Sequence, residues 1–266
     1  MYYTMSMVKI VVAAAIASIF TIPAFAHGRH HHRYTPSKPV FSTRSFLVAD
    51  ETGQIIKEQD SDTVRPIASI SKLMLALLVS DQDLSERIEI PKTRTVHSSI
   101  PQSVHFLTRR ELLTLALVKS DNFAAQILCN NLNDCIDRMN SKANELGMAN
   151  THYVEPTGLS KENVSTARDL LKLIQAAAGK EIIGEISRMP NAEIVAENKK
   201  IHVNNTNPLT ARIAVLLSKT GFTNPAGGCL LMIVQTEIGR RIVILLGSKN
   251  THTRIPDAER LIKDVG

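Results

Sequence analysis

Ala68-Ser69-Ile70-Ser71-Lys72-Leu73-Met74 places a hydroxyl and an amine three residues apart at the mouth of an apolar run, Leu73 to Val79, that reads as a helix. Residues three apart on a helix share a face, so the Ser69 hydroxyl and the Lys72 ammonium can meet. A serine is a poor nucleophile until a base takes its proton, and a lysine is that base only if its own pKa is pulled down. Burial at a helix start, where the dipole disfavours a cation, pulls in that direction. Ser69, rather than Ser71, is the candidate nucleophile, because only Ser69 has the three-residue offset to Lys72. The pattern alone decides little. Ser6-Met7-Val8-Lys9 repeats it, and a helix cap followed by a solvated lysine is the plain alternative.

Two further motifs follow in order. Ser120-Asp121-Asn122 falls where one apolar helix ends and another begins, so its side chains project from a turn. Asn122 can donate and accept at once, which suits holding both Lys72 and a substrate amide, and Ser120 can pass a proton to a leaving nitrogen. Ser248-Lys249-Asn250 matches the same loose pattern, so this motif too needs company. Lys219-Thr220-Gly221 ends the apolar strand Ala214-Val215-Leu216-Leu217. A cation and a hydroxyl on a strand edge suit a carboxylate, and Gly221 lets a backbone approach closely.

The 266 residues are 44% hydrophobic, enough for a substantial core in one large domain or two small ones. Residues 1–26 carry one charge, Lys9, then an apolar run from Ile10 to Ile22 and the small-x-small sequence Ala24-Phe25-Ala26. This reads as a cleaved secretory signal with an uncleaved anchor as the alternative, and it predicts a periplasmic protein without a stable membrane anchor. The formal net charge of +6 is compatible with an anionic partner. Export and the lack of a basic block with interleaved aromatics argue against nucleic acid. With no Trp and 4% aromatic residues, sugar stacking is disfavoured, so the peptide part of a wall polymer is the better candidate substrate.

Cys129 and Cys135 flank Asn-Asn-Leu-Asn-Asp; a small-loop disulfide and two free thiols both remain open readings. Cys229 reads as a buried small residue. His27, His30, His31 and His32 lie beside the cleavage site and read as part of a disordered leader rather than a metal site. Neither metal nor cofactor is expected.

Residues 27–44, with Pro36 and Pro39, read as a linker. Ser45–Asp50 and Gln54–Glu58 around Glu51-Thr52-Gly53 have a hairpin signature. Thr108-Arg109-Arg110-Glu111 is a capping box before Leu112–Val118. Helical patterns follow at 121–130, at 135–146 and from Ala167 to about Ala178. Beyond Ile201, the runs Arg212–Ser218, Gly228–Thr236 and Arg240–Gly247 read as an antiparallel meander, and a last helix spans Asp257–Val265. Strands at both ends with helices between them predict an α/β domain over 45–266. Its antiparallel sheet of about five strands is built from both chain ends and flanked by helices, with a helical insertion at about 81–200. A site would lie at the seam.

The three motifs in this order are the set found in penicillin-binding proteins and class A β-lactamases. Arg65 through Met74, Val154-Glu155-Pro156-Thr157-Gly158-Leu159-Ser160, Asn163 through Leu170, and Lys219-Thr220-Gly221-Phe222-Thr223-Asn224 resemble the low-molecular-mass penicillin-binding D-alanyl-D-alanine peptidases, in particular their periplasmic endopeptidases. The resemblance covers roughly Ser45 to Gly266. It implies the β-lactamase/penicillin-binding-protein fold and acyl transfer on peptidoglycan stem peptides and cross-links, with β-lactams as covalent inhibitors. Ser69 would be the nucleophile and Lys72 the base, Ser120 the proton relay, and Asn122 the orienting amide. Lys219 and Thr220 would hold the substrate carboxylate. The oxyanion would sit on the backbone N–H groups of Ser69 and of Phe222, the residue after Gly221. Lys219 would also help keep Lys72 neutral by like-charge repulsion. No counterpart of the extra β domain and amphipathic anchor of related carboxypeptidases is expected after the last helix, so a soluble or loosely wall-associated enzyme is expected.

Two rivals have distinct signatures. A β-lactamase would need a deacylating glutamate, for which Glu155 is the candidate; the following Gly158-Leu159-Ser160 matches the peptidases instead and makes Glu155 a loop carboxylate. A non-catalytic wall-binding or β-lactam-sensing domain would have no need of Lys72 and Ser120 together.

Overall fold

The computed structural model describes residues 41–94 and 96–265. The expected signal segment and the histidine cluster lie outside them. Eleven strands are numbered in chain order: β1 (Ser45–Asp50), β2 (Ile55–Gln59), β3 (Arg65–Pro66), β4 (Arg87–Glu89), β5 (Phe106–Thr108), β6 (Val164–Ser165), β7 (Asn191–Ala196), β8 (Lys199–Asn204), β9 (Val215–Thr223), β10 (Gly227–Thr236) and β11 (Gly239–Ser248). The α-helices are α1 (Ser71–Val79), α2 (Arg109–Thr114), α3 (Asn122–Asn130), α4 (Cys135–Glu145), α5 (Ala167–Ala178), α6 (Glu181–Ser187) and α7 (Arg254–Val265).

Five strands form an antiparallel sheet in the order β2-β1-β11-β10-β9, so the two ends of the chain meet at the β1–β11 pairing. Alternate residues of a strand face opposite sides, and here both sides are covered. Leu47, Ala49, Leu231, Ile233, Ile242 and Ile244 belong to the core shared with the helical region. Phe46, Val48, Met232, Val234, Val243 and Leu245 pack with Ile255, Ala258 and Leu261 of α7. Burial on both faces explains why these strands read as continuous apolar runs.

Every residue of α1 is buried, as expected of a helix that is apolar all round. It packs against α3, α4 and α5, and its burial carries Lys72 into the interior. Among the described residues, no helix is long and apolar enough to cross a membrane.

The structure departs from the sequence reading at several boundaries. The region expected to stay helical to residue 200 ends in the hairpin β7–β8. Its buried Ile194, Ala196, Ile201 and Val203 have the period of two, and the turn residues Glu197 and Asn198 both have positive φ. Such a turn is ordinarily marked by Asn-Gly or Asp-Gly, and neither is present. β9 starts and ends later than expected, so Lys219-Thr220-Gly221 lies inside the strand. The ladder to β10 continues through Phe222↔Gly228 and Thr223↔Gly227, and its pairing overrides the polar composition. α7 begins at Arg254, three residues before the expected start, with Pro256 in its first turn. Residues 41–44, read as the end of a linker, are packed. Thr43 is buried, and Asp257 accepts hydrogen bonds from the Ser42 Oγ, Thr43 N and Thr43 Oγ1. Cys129 and Cys135 form a disulfide that joins the end of α3 to the start of α4, and Cys229 is a buried free thiol.

Candidate active site

Ser69 lies in a single 3-10 turn, Ala68–Ile70, that feeds α1. The turn is reached through Ala68, which holds φ at 49°, a left-handed conformation costly for a residue with a Cβ. Two glycines make room for it. A Cβ on Gly158 would lie 1.9 Å from the Ala68 carbonyl oxygen, and one on Gly221 would lie 2.9 Å from the Ser69 nitrogen. The turn is therefore gripped between the 155–160 loop and β9.

Lys72 Nζ stands 2.9 Å from Ser69 Oγ, 2.7 Å from Asn122 Oδ1 and 2.6 Å from the Thr157 carbonyl oxygen. Asn122 Oδ1 and the Thr157 carbonyl can only accept. When Lys72 is neutral, they take its two hydrogens, leaving the amine lone pair free for the Ser69 proton. Lys72 is 1% exposed. Burial brings its pKa down to about 7, against the opposing pull of Glu155 and Asp121. Ser71 Oγ instead donates to the Ala68 carbonyl and accepts from Asn163 Nδ2, both at 2.9 Å.

The second motif sits at a break between helices. A π turn, Leu115–Lys119, ends at Ser120 with φ 62°, and Asp121 caps α3 by accepting from the Ala124 N–H. Asn122 thereby becomes the first residue of α3. Asp121 also accepts from Ser98 Oγ and the Ser99 N–H, pinning a neighbouring loop to this break.

The third motif faces the second. Lys219 Nζ donates to Ser120 Oγ at 2.8 Å and to the Thr220 carbonyl at 2.9 Å. Lys219 is as buried as Lys72. Its pKa is held well below the usual lysine range, first by burial and then by the charges of Lys72 and Arg254. Burial is thus the largest cause at both amines, and the expected mutual repulsion adds to it. Thr220 Oγ1 donates to Thr206 Oγ1 at 2.6 Å. Gly221 lies against the Ser69 turn, and Phe222 beyond it is 43% exposed. Of the eight expected residues, Ser69, Lys72 and Asn122 form one bonded cluster and Ser120 and Lys219 another. Thr220, Gly221 and Phe222 extend the second along β9.

Several contributors escaped the sequence reading. Thr157 enters through its carbonyl, which carries no side-chain signal. Its loop is closed by Glu155, whose carboxylate accepts from Thr157 N, Thr157 Oγ1, Gly158 N and Ser160 N at 2.5–3.2 Å. That is the loop-carboxylate role expected for Glu155. Asn163 is fully buried; it ties Ser71 to the Glu155 carbonyl, and its own carbonyl accepts from the Ile67 N–H. Arg254, from the start of α7, donates to the Gly221 carbonyl at 2.8 Å and so fixes β9 from its other side. The only hint of Asn163 and Thr157 lay in the familiar-looking stretches around them.

The chain matches the family described as D-alanyl-D-alanine carboxypeptidase over residues 32–250. It is 39% identical over 245 residues to a D-alanyl-D-alanine endopeptidase of Escherichia coli, covering 85% of this chain and 78% of that protein. It is 38% identical over 244 residues to a D-alanyl-D-alanine endopeptidase of Pseudomonas aeruginosa, with the same coverage. Among solved structures, a penicillin-binding protein of Listeria monocytogenes in its ampicillin-bound form superposes with a TM-score of 0.77 at 30% identity, covering 85% of this chain and 98% of that one.

Proposed function

This chain belongs to the D-alanyl-D-alanine carboxypeptidase family of serine DD-peptidases, and from that premise we propose that it cleaves D-alanyl peptide bonds in peptidoglycan stem peptides and cross-links through an acyl-enzyme on Ser69. The observation that carries the reading is the Lys72 amine, hydrogen-bonded to two fixed acceptors and 2.9 Å from Ser69 Oγ.

Neutral Lys72 takes the Ser69 proton as Oγ attacks the D-alanyl carbonyl. The Ser69 and Phe222 N–H groups hold the developing oxyanion. As the C–N bond breaks, the proton passes by way of Ser120 to the departing amine. Water then cleaves the ester, regenerating Ser69 and releasing the acid. Asn122 aims Lys72 and the substrate backbone, while Lys219 and Thr220 receive the carboxylate on the leaving side. A β-lactam forms the same ester, but its amine stays tethered and blocks the water. The names of the relatives at 38–39% identity support cross-link cleavage over carboxypeptidase action, and the leader sequence supports a periplasmic location.

Two measurements test this. Labelled penicillin is expected to form an adduct on Ser69 that persists for many minutes; rapid hydrolysis of the drug would favour a β-lactamase instead. A cross-linked muropeptide dimer and a pentapeptide monomer, digested side by side and weighed by mass spectrometry, are expected to show the dimer cleaved faster. If the pentapeptide alone loses its terminal D-alanine, the endopeptidase preference is wrong.

A further inference from the structure

Past Gly221, β9 runs through Phe222 and Thr223 into the turn Asn224-Pro225-Ala226, where a cavity of ≈ 310 Å³ opens. Arg44, Arg65 and Lys249 line it, and its described lining contains no carboxylate. None of these three cations makes an ion pair among the described residues. Arg65 Nε is buried without any hydrogen-bond partner, a costly state for a charged donor unless an acceptor is supplied. The backbone of Arg65 is fixed by the pairing of β3 with β6. Arg44 is held from the other side: its stem lies along Gly247, at φ +72°, where an added Cβ would stand 3.2–3.5 Å from the Arg44 carbons. Asp257, whose Oδ2 accepts from Ser42 and Thr43, is not among the residues that line the cavity.

The cavity lies beyond the catalytic line, at the end of β9 and next to the segment that leads into the Ser69 turn. The Ile67 carbonyl lies 3.0 Å from where a Gly221 Cβ would be, so the segment Arg65-Pro66-Ile67 runs alongside β9. In the mechanism above, the leaving side sits at Lys219 and Thr220 and the scissile carbonyl at Ser69 and Phe222. The acyl donor must then continue towards Asn224. An extended peptide advances about 3.3 Å per residue, so the cavity lies roughly two to three residues upstream of the scissile bond.

We propose that this cavity is a subsite for a carboxylate of the acyl-donor peptide, bound by Arg44, Arg65 and Lys249; the inference rests on the serine-peptidase reading above. It ascribes part of the substrate preference to charge at one distant point rather than to the alanyl residues alone. Arg44 and Lys249, both exposed, and the half-buried Arg65 would supply charge-assisted hydrogen bonds.

The test compares two acyl-donor peptides that differ only in whether that upstream carboxylate is free or amidated. They are assayed on the wild-type chain and on Arg44→Gln/Lys249→Gln, two exposed positions whose replacement leaves the core intact. Wild type is expected to cleave the free acid about tenfold better in kcat/KM, and the double variant is expected to lose most of that preference. Penicillin acylation, which does not reach the cavity, should be unchanged in the variant. Equal cleavage of both peptides by wild type, or a preference undiminished in the variant, overturns the subsite while leaving the serine-peptidase reading in place. Binding of both peptides to Ser69→Ala by calorimetry reads the same preference without turnover. Equal affinities there also overturn the subsite, whereas failure of wild type to acylate with penicillin or to cleave either peptide counts against the catalytic reading alone.

Discussion

Both faces of the central sheet are apolar, but the one towards the helical region also encloses two lysines. On the α7 face, Phe46, Val48, Leu245, Ile255, Ala258 and Leu261 form an apolar layer. On the face towards the helical region, the core includes a seam where Lys72, Lys219, Asn163 and Asp121 are all inside. Apolar burial stabilises in proportion to the area removed from water. A buried lysine carries a desolvation penalty that its hydrogen bonds only partly offset. The α7 face can therefore supply stability while the seam holds two amines in states that water would not allow.

The sharpest way to break this contrast is to alter one residue on each face. Lys72→Met is expected to lower penicillin acylation by at least about 10³-fold while costing less stability than the apolar change. Leu261→Ala is expected to cost about 2–5 kcal/mol in denaturant unfolding, with acylation per folded molecule unchanged. A Lys72→Met protein that unfolds more readily than Leu261→Ala would place stability in the seam after all.

A smaller effect comes from pH. In the proposed mechanism Lys72, depressed to about 7 by burial, must be neutral to accept the Ser69 proton. Second-order acylation should rise with pH through about 7 and fall about tenfold per unit below it, given that only the deprotonated fraction reacts. The sign for stability agrees. An unfolded chain holds the lysine proton up to the ordinary lysine pKa, so between about 7 and that value the unfolded state binds more protons, and this group makes stability rise with pH. A flat acylation profile from pH 6 to 8 would remove Lys72 as the base.

The smallest expected effect is Asp121→Asn. Asp121 raises the Lys72 pKa, and asparagine can still cap α3. The midpoint of the acylation profile should therefore move downward, by less than about one unit at the distances of a partly screened pair. An upward shift would mean that Asp121 acts through the 98–99 loop rather than through its charge.

Much of the fold was legible because its signals are local. The Thr108–Glu111 capping box, the apolar runs of β1, β10 and β11, and the helices α3 to α5 all appear where patterning put them. The β7–β8 hairpin was not legible, since its turn lacks the usual residues and its alternation is short. In the candidate site, the side chains proposed to carry chemistry announced themselves through spacing, as with Ser69 and Lys72. Backbone contributors did not. The Thr157 carbonyl, the Gly158 and Gly221 clearances and the Arg254 clamp on the Gly221 carbonyl are set by contacts between segments far apart in the chain.

The amino-acid sequence by itself determined the offset between Ser69 and Lys72, the order of the three motifs and the two-sided burial of the sheet. These follow from helical and strand periodicity within a few residues. Only the tertiary structure decided that Lys72 is sealed among Asn122, Thr157 and Ser69, and that Lys219 is buried just as deeply, so that desolvation lowers the pKa of both amines. It also brings Arg44, Arg65 and Lys249 around one cavity at the end of β9. Desolvation and charge coupling depend on what surrounds a group in space, and that is fixed only when both ends of the chain close the sheet around α1.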